Sequence, residues 1–178
     1  QYRKASHLRQ DDSKLIYKIA YTYYNEGQWQ SCFKQLEIAM KMHRLQPEFN
    51  LLAGECKMKL GLFKDAAQYF SNMVRVRPKS MAGWEALIRC LFNAESFEDA
   101  LEQTNTALKM TKGKPIFLFY KSAVLFALNK GKEAILQLEE AMRQAPKLLK
   151  RFVELNPSIL QSQQVVDVIA RYKRNKSI

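Results

Sequence analysis

Residues 61–80 read GLFKDAAQYFSNMVRVRPKS, and their spacing decides the fold. Apolar Phe63, Ala66, Phe70, Met73 and Val74 recur at three and four, which is the period of a helix with one buried face. Gly61 precedes the stripe and Pro78 follows it, so a helix is expected between two breakers. Stepping by 34 residues in both directions recovers the same pattern. Cys32, Ala66, Ala100 and Ala134 share one phase; Ala39, Met73, Ala107 and Ala141 share another. Trp29, Phe63 and Phe97 occupy an aromatic phase that breaks at Gly131, and Pro78 and Pro146 coincide. No insertion or deletion interrupts the register.

Four units follow at 13–46, 47–80, 81–114 and 115–148, flanked by residues 1–12 and 149–178. A turn divides each unit, at Asn25-Glu26-Gly27, Leu60-Gly61, Ala94-Glu95-Ser96 and Leu128-Asn129-Lys130-Gly131. Gly27 and Gly61 suit a left-handed helix C-terminus. Each unit is therefore a helical hairpin. Small residues at Ala20, Gly54 and Ser122 in first helices, and at the Cys32 phase in second helices, permit helices to pack at close range. A hairpin this short cannot bury its apolar face alone, so neighbours must stack.

These residues resemble the tetratricopeptide repeat. The third unit carries Trp84, Leu87, Phe97, Ala100 and Ala107 at the family's positions, and the second adds Gly54, Gly61, Phe63, Ala66, Phe70 and Pro78. Lys57 and Lys121 depart from it where apolar residues are usual, and Ile88 replaces a small one. The resemblance implies an all-α, right-handed α-solenoid of stacked helix-turn-helix repeats. Extending the phase backwards aligns Tyr2, Ala5 and Leu8 with Leu36, Ala39 and Met42. Residues 1–12 are thus expected to end a preceding unit's second helix, in a piece of a longer protein of bacterial character. At the other end Pro146 to Leu155 reads as one helix, broken at Asn156-Pro157. Val165, Val166, Ile169 and Tyr172 mark an amphipathic stretch beyond it. Residues 149–178 are read as capping helices and a basic tail.

Chemistry is sparse. His7 and His43 lack second ligands at useful spacing, and no zinc, phosphate-loop or nucleophile motif occurs. Lys112-Gly113-Lys114-Pro115 lacks a preceding strand and reads as an inter-repeat turn. Three cysteines do not make a disulfide scaffold; reduced, they favour the cytoplasm. Cys56 and Cys90 lie one repeat apart on first helices; a redox or metal pair is the competing reading, buried small residues in equivalent sockets the expected one, while Cys32 takes an alanine packing position that needs no function. Neither enzymatic activity nor a cofactor or metal is expected.

What remains is recognition. The first helices leave a second stripe: Tyr17, Tyr21 and Tyr24; Leu51, Glu55 and Met58; Glu85, Arg89 and Phe92; Phe119, Ala123 and Phe126. A helix apolar on both faces is buried or covered by something. In the family's geometry this stripe faces the concave side, implying a groove for a peptide or partner segment. The competing reading packs the aromatics on neighbouring helices or on a folded-back C-terminal segment. Some members clamp a chaperone's terminal carboxylate with Lys, Asn and Arg, but this face offers Tyr17, Tyr21, Glu85 and Arg89 instead.

Net charge is +12, with 29 Lys and Arg against 17 Asp and Glu. The excess is greatest at the C-terminus, where Arg171, Lys173, Arg174 and Lys176 cluster. Such a run attracts phosphates or acidic proteins, so nucleic-acid or acidic-partner binding there is the alternative. Without the interleaved aromatic and basic motif of an RNA-binding module, a protein partner is preferred. Self-assembly through apolar ends is a third reading. No apolar run approaches the roughly 18–20 residues of a membrane span.

Overall fold

The computed structural model describes the backbone of residues 2–43 and 46–174, and side chains over 12–43 and 46–172. Among the described residues it is all helix: α1 (Tyr2–Asn25), α2 (Trp29–Met42), α3 (Pro47–Lys59), α4 (Phe63–Val76), α5 (Met81–Asn93), α6 (Phe97–Met110), α7 (Pro115–Ala127), α8 (Gly131–Gln144), α9 (Leu149–Leu155) and α10 (Gln163–Arg174). Short 3-10 turns at Pro146–Leu148 and Pro157–Gln161 flank α9. The expected all-α array of helical hairpins is the architecture found.

The hairpin turns are one structure used four times. Gly27, Gly61, Glu95 and Asn129, each 34 residues apart, all have positive φ, between 57° and 74°. In each turn the next residue's N–H reaches back five residues: Gln28 to the Tyr23 carbonyl (2.9 Å), Leu62 to Lys57 (2.9 Å), Ser96 to Leu91 (3.0 Å) and Lys130 to Leu125 (2.9 Å). That bond satisfies a carbonyl the helix end would otherwise leave open. Glycine takes this conformation without steric cost, whereas Glu95 and Asn129 bear a modest one.

Helix starts follow their local chemistry. Pro47 and Pro115 open α3 and α7, where a missing N–H costs nothing. Ser80 caps α5, its Oγ accepting from the Gly83 N–H at 3.2 Å. At the position matching Pro47 and Pro115 the first repeat has Ser13, preceded by Gln10-Asp11-Asp12 with no Pro or Gly. Helix α1 accordingly runs through the expected boundary at 12/13 without a turn, so residues 2–12 are not a separate helix.

The chain forms two compact units, Gln1–Cys90 and Leu91–Ile178. The first is built on Ala20, Cys32, Leu36, Ala39, Phe49, Leu52, Ala53 and Cys56. Lys57, anomalous in sequence, lays its ammonium 4.0 Å from the Phe33 ring centre and 3.9 Å from Asp65. Trp84 is buried with its indole N–H donating to the Pro78 carbonyl at 2.8 Å.

In the second unit α7 is buried from Ile116 to Leu125 apart from Leu118 and Lys121. The Ser122 hydroxyl donates to the Ala134 carbonyl at 2.8 Å, a small polar residue satisfied at a helix crossing. The C-terminal segment differs from expectation in two details. Pro146–Leu148 is a 3-10 turn ahead of α9, not its first turn. On α10 the inward stripe is Val165, Val168 and Ile169, while Val166, one residue from Val165 and thus about 100° round the helix, is 39% exposed.

Candidate functional site

The aromatic stripe on α1 forms a ladder. Tyr17, Tyr21 and Tyr24 follow at four and three residues, which stacks side chains on one helix face. Ring centres lie 6.4 Å apart for Tyr17–Tyr21 and 6.3 Å for Tyr21–Tyr24, with interplanar angles of 26° and 17°. Phe49 of α3 extends the ladder at 5.3 Å from Tyr17, and Trp29 meets Tyr24 edge-on at 5.0 Å. Tyr21 sits mid-ladder and is 49% exposed. An exposed ring fixed on both sides is an anchor that loses little freedom on binding.

Helix α3 contributes Leu51, Glu55 and Met58, all half-buried. Burial and the Glu55 carboxylate, which accepts a hydrogen bond from the Tyr24 hydroxyl, push the Tyr24 pKa up to about 12. Tyr17 is also raised, by burial and then by Glu48. A raised tyrosine pKa contributes stability that is complete below the unfolded value near pH 10 and is lost as pH rises through the folded value. Titration at 295 nm should therefore show a late-ionising tyrosine that Tyr24→Phe removes. An unchanged alkaline limb in that variant would mean Glu55 does not face Tyr24.

The remaining stripe residues divide. Glu85 is half-buried and Arg89 exposed on α5. In the second unit Phe92 is half-buried against Phe97, ring centres 5.2 Å apart, and Phe126 is half-buried. Phe119 and Ala123 are corrections: both are fully buried. The Phe119 ring lies 5.9 Å from that of Phe152, because α9 folds back over this side of α7. At Phe119 the packing alternative prevails over the groove.

The three cysteines are buried, as expected of packing sockets. Cys56 Sγ lies 3.0 Å from Cys32 Sγ, whereas Cys90 Sγ bonds to the Phe63 carbonyl at 2.9 Å. At the C-terminus Arg171 binds Glu139 of α8 at 2.9 Å and so fastens α10. Lys176 and the side chains of Lys173 and Arg174 lie outside the described residues, as does the His7 side chain. Lys112 and Gly113 both have positive φ, the tight inter-repeat turn expected there. Among the described residues no group of three His, Cys, Asp or Glu is arranged to hold a metal.

One feature escaped the sequence reading. A cleft of about 410 Å³ lies among Glu37, Met40 and Lys41 of α2, Asn50 of α3, and Gln68, Tyr69 and Asn72 of α4. Its residues are polar or singly apolar, so no periodic signal distinguishes them from a solvated helix face.

Comparison with known proteins fits this geometry. The tetratricopeptide-repeat family model matches residues 54–115. Residues 54–115 carry the tetratricopeptide repeat. MamA from Desulfovibrio magneticus RS-1 (residues 41 to the end) superposes with a TM-score of 0.70 at 14% identity, covering 94% of this chain and 96% of its own. TTC0263, a thermophilic tetratricopeptide protein of Thermus thermophilus, gives 0.60 at 17% identity, covering 93% and 100%. YrrB, described as a tetratricopeptide protein with an unusual peptide-binding site, gives 0.66 at 14% identity, covering 97% and 90%. At these identities the likeness is one of fold. No curated protein matches in sequence. The tetratricopeptide fold is a scaffold for protein–protein interaction, and its members are typically non-enzymatic. Among the described residues no helix is long and apolar enough to cross a membrane.

Proposed function

We propose that this chain is a non-enzymatic interaction module that binds an extended peptide or partner segment on its first-helix face. The stacked ladder of Tyr17, Tyr21 and Tyr24 beside Leu51, Glu55 and Met58 carries the reading. Aromatic rings next to a few charges dominate binding energy at interfaces. In the first unit Glu85 and Arg89 extend the proposed contacts; in the second, Phe92 and Phe126 are the proposed ones. Tyr21 offers a flat apolar surface and Glu55 an acceptor, which suits a segment pairing an apolar side chain with a basic one. YrrB, which shares the fold, has a peptide-binding site by its description, and this supports a peptide as the ligand class. The alternative, an acidic or nucleic-acid partner at the basic C-terminus, draws less support because Arg171 is already paired with Glu139.

The test starts from peptides selected on the purified chain from a random display library. Tyr21→Ala should weaken their binding about tenfold, or about 1.4 kcal/mol, in fluorescence polarisation. Helical circular dichroism should not change, since Tyr21 is half exposed. Equal affinity for the variant, with loss instead from substitutions at Arg171, would move the site to the C-terminus.

A further inference from the structure

The repeat register isolates one pair of positions in the first unit. Cys32 of α2 and Cys56 of α3 stand 24 residues apart, with both side chains fully buried and their sulfurs 3.0 Å apart. One repeat later the same register holds Ala66 and Cys90, and a further repeat on it holds Ala100 and Val124. Cys90, lacking a sulfur at its partner position, bonds to the backbone carbonyl of Phe63 instead. Only in this layer do both register positions carry thiols. Packing alone does not call for cysteine at residue 32, because alanine fills that position in the other three units.

We infer that Cys32 and Cys56 are an oxidisable dithiol, with a small peroxide as co-substrate, that closes into a disulfide stapling α2 to α3. The Cys56 thiol donates to the Cys32 sulfur. That hydrogen bond lowers the pKa of Cys32 and raises that of Cys56, so Cys32 is the nucleophile. The Cys32 thiolate attacks one peroxide oxygen and the O–O bond breaks. The departing hydroxide leaves as water with the proton that Cys32 released on forming its thiolate, and a sulfenic acid is left on Cys32. The Cys56 sulfur then attacks the sulfenic sulfur, the S–O bond breaks, and the hydroxyl leaves with the Cys56 proton as a second water. Two thiols lose two electrons, and the peroxide gains them.

Burial determines which oxidants work. Both sulfurs lie within the core formed with Ala20, Leu36, Ala39 and Leu52, so a bulky disulfide such as oxidised glutathione has no approach. A peroxide is small enough to enter when α3 parts briefly from α2. The product closes a loop from residue 32 to 56 and ties the first hairpin to the helix bearing Leu51, Glu55 and Met58. This inference is independent of the proposed peptide face: oxidation can occur whether or not Tyr21 binds anything.

The experiment treats the whole chain with hydrogen peroxide and reads intact mass, free thiols and a non-reducing peptide map. The expected result is a dithiothreitol-reversible loss of two hydrogen masses. Free thiols should fall from three to one, and a single cross-linked peptide should join Cys32 to Cys56. The melting temperature should rise by roughly 5–10 °C. Cys90→Ala should keep all of this, and Cys32→Ala, which installs the residue found in the other units, should lose it while folding normally. Three thiols surviving peroxide, stable oxygen adducts on either sulfur, or a cross-link through Cys90 would each overturn the inference. So would a mass loss that persists in Cys32→Ala.

Discussion

Phe119→Ala is expected to destabilise the chain by about 3–5 kcal/mol while leaving peptide affinity of the folded protein unchanged. Phe119 has no exposed surface, and its ring packs at 5.9 Å on Phe152, which is equally buried. Removing the ring discards its transfer free energy and leaves a cavity that α7 and α9 cannot both relax to fill. At urea m values of a few kcal/mol per molar, the unfolding midpoint of this unit should fall by about 1–2 M. Phe152→Ala should cost a similar amount, and the double variant less than the sum, since the second truncation removes contacts already lost. A variant that unfolds like the wild type but binds selected peptides poorly would return Phe119 to the surface.

Phe119 and Tyr21 also mark what could be read from the sequence. Both stand on the leftover stripe of a first helix, and nothing local separates them. One is covered because α9 returns over α7, a contact between residues 33 apart in the chain that no periodicity encodes. The repeat itself was fully legible. A 34-residue register, small residues at helix crossings and a left-handed position at Gly27 and Gly61 are local properties, and the same turn recurs even where Glu95 and Asn129 replace glycine. Register alone does not say which sulfurs meet. It places Cys56 and Cys90 at equivalent positions, but the sulfurs that meet are Cys32 and Cys56, because contact passes from the second helix of one hairpin to the first of the next. Helix α1 runs unbroken across residue 13, where Ser13 stands at the position at which Pro47 and Pro115 start later helices.

Gly54→Ala, a change of one methyl group, should cost about 1–3 kcal/mol even though alanine is the better helix former by about 1 kcal/mol. A Cβ at Gly54 would stand 2.5, 2.7 and 2.8 Å from three atoms of the Phe70 ring. Phe70 is itself fully buried, so its rigid ring has no space into which to retreat. Either α3 moves away from α4 or the ring leaves its rotamer, and both strain the core. Trimming the ring should reverse the sign. In a Phe70→Leu background the added methyl finds room, and Gly54→Ala should become neutral or stabilising, giving a coupling of about 1–3 kcal/mol in a double-mutant cycle. Gly83 supplies the contrast. Its Cβ would meet Val74 Cγ1 at 3.0 Å and the Met73 sulfur at 3.2 Å, and the flexible Met73 end can yield. Gly83→Ala should therefore cost less than Gly54→Ala, the remaining strain falling on Val74. Equal costs at Gly54 and Gly83, or a Gly54→Ala penalty that survives Phe70→Leu, would mean the glycine is not there to admit the ring. The effect should also reach the ligand face. Glu55 follows Gly54 directly, and the Tyr24–Glu55 hydrogen bond spans α1 and α3, so a displaced α3 should bring the late tyrosine ionisation back toward about pH 10.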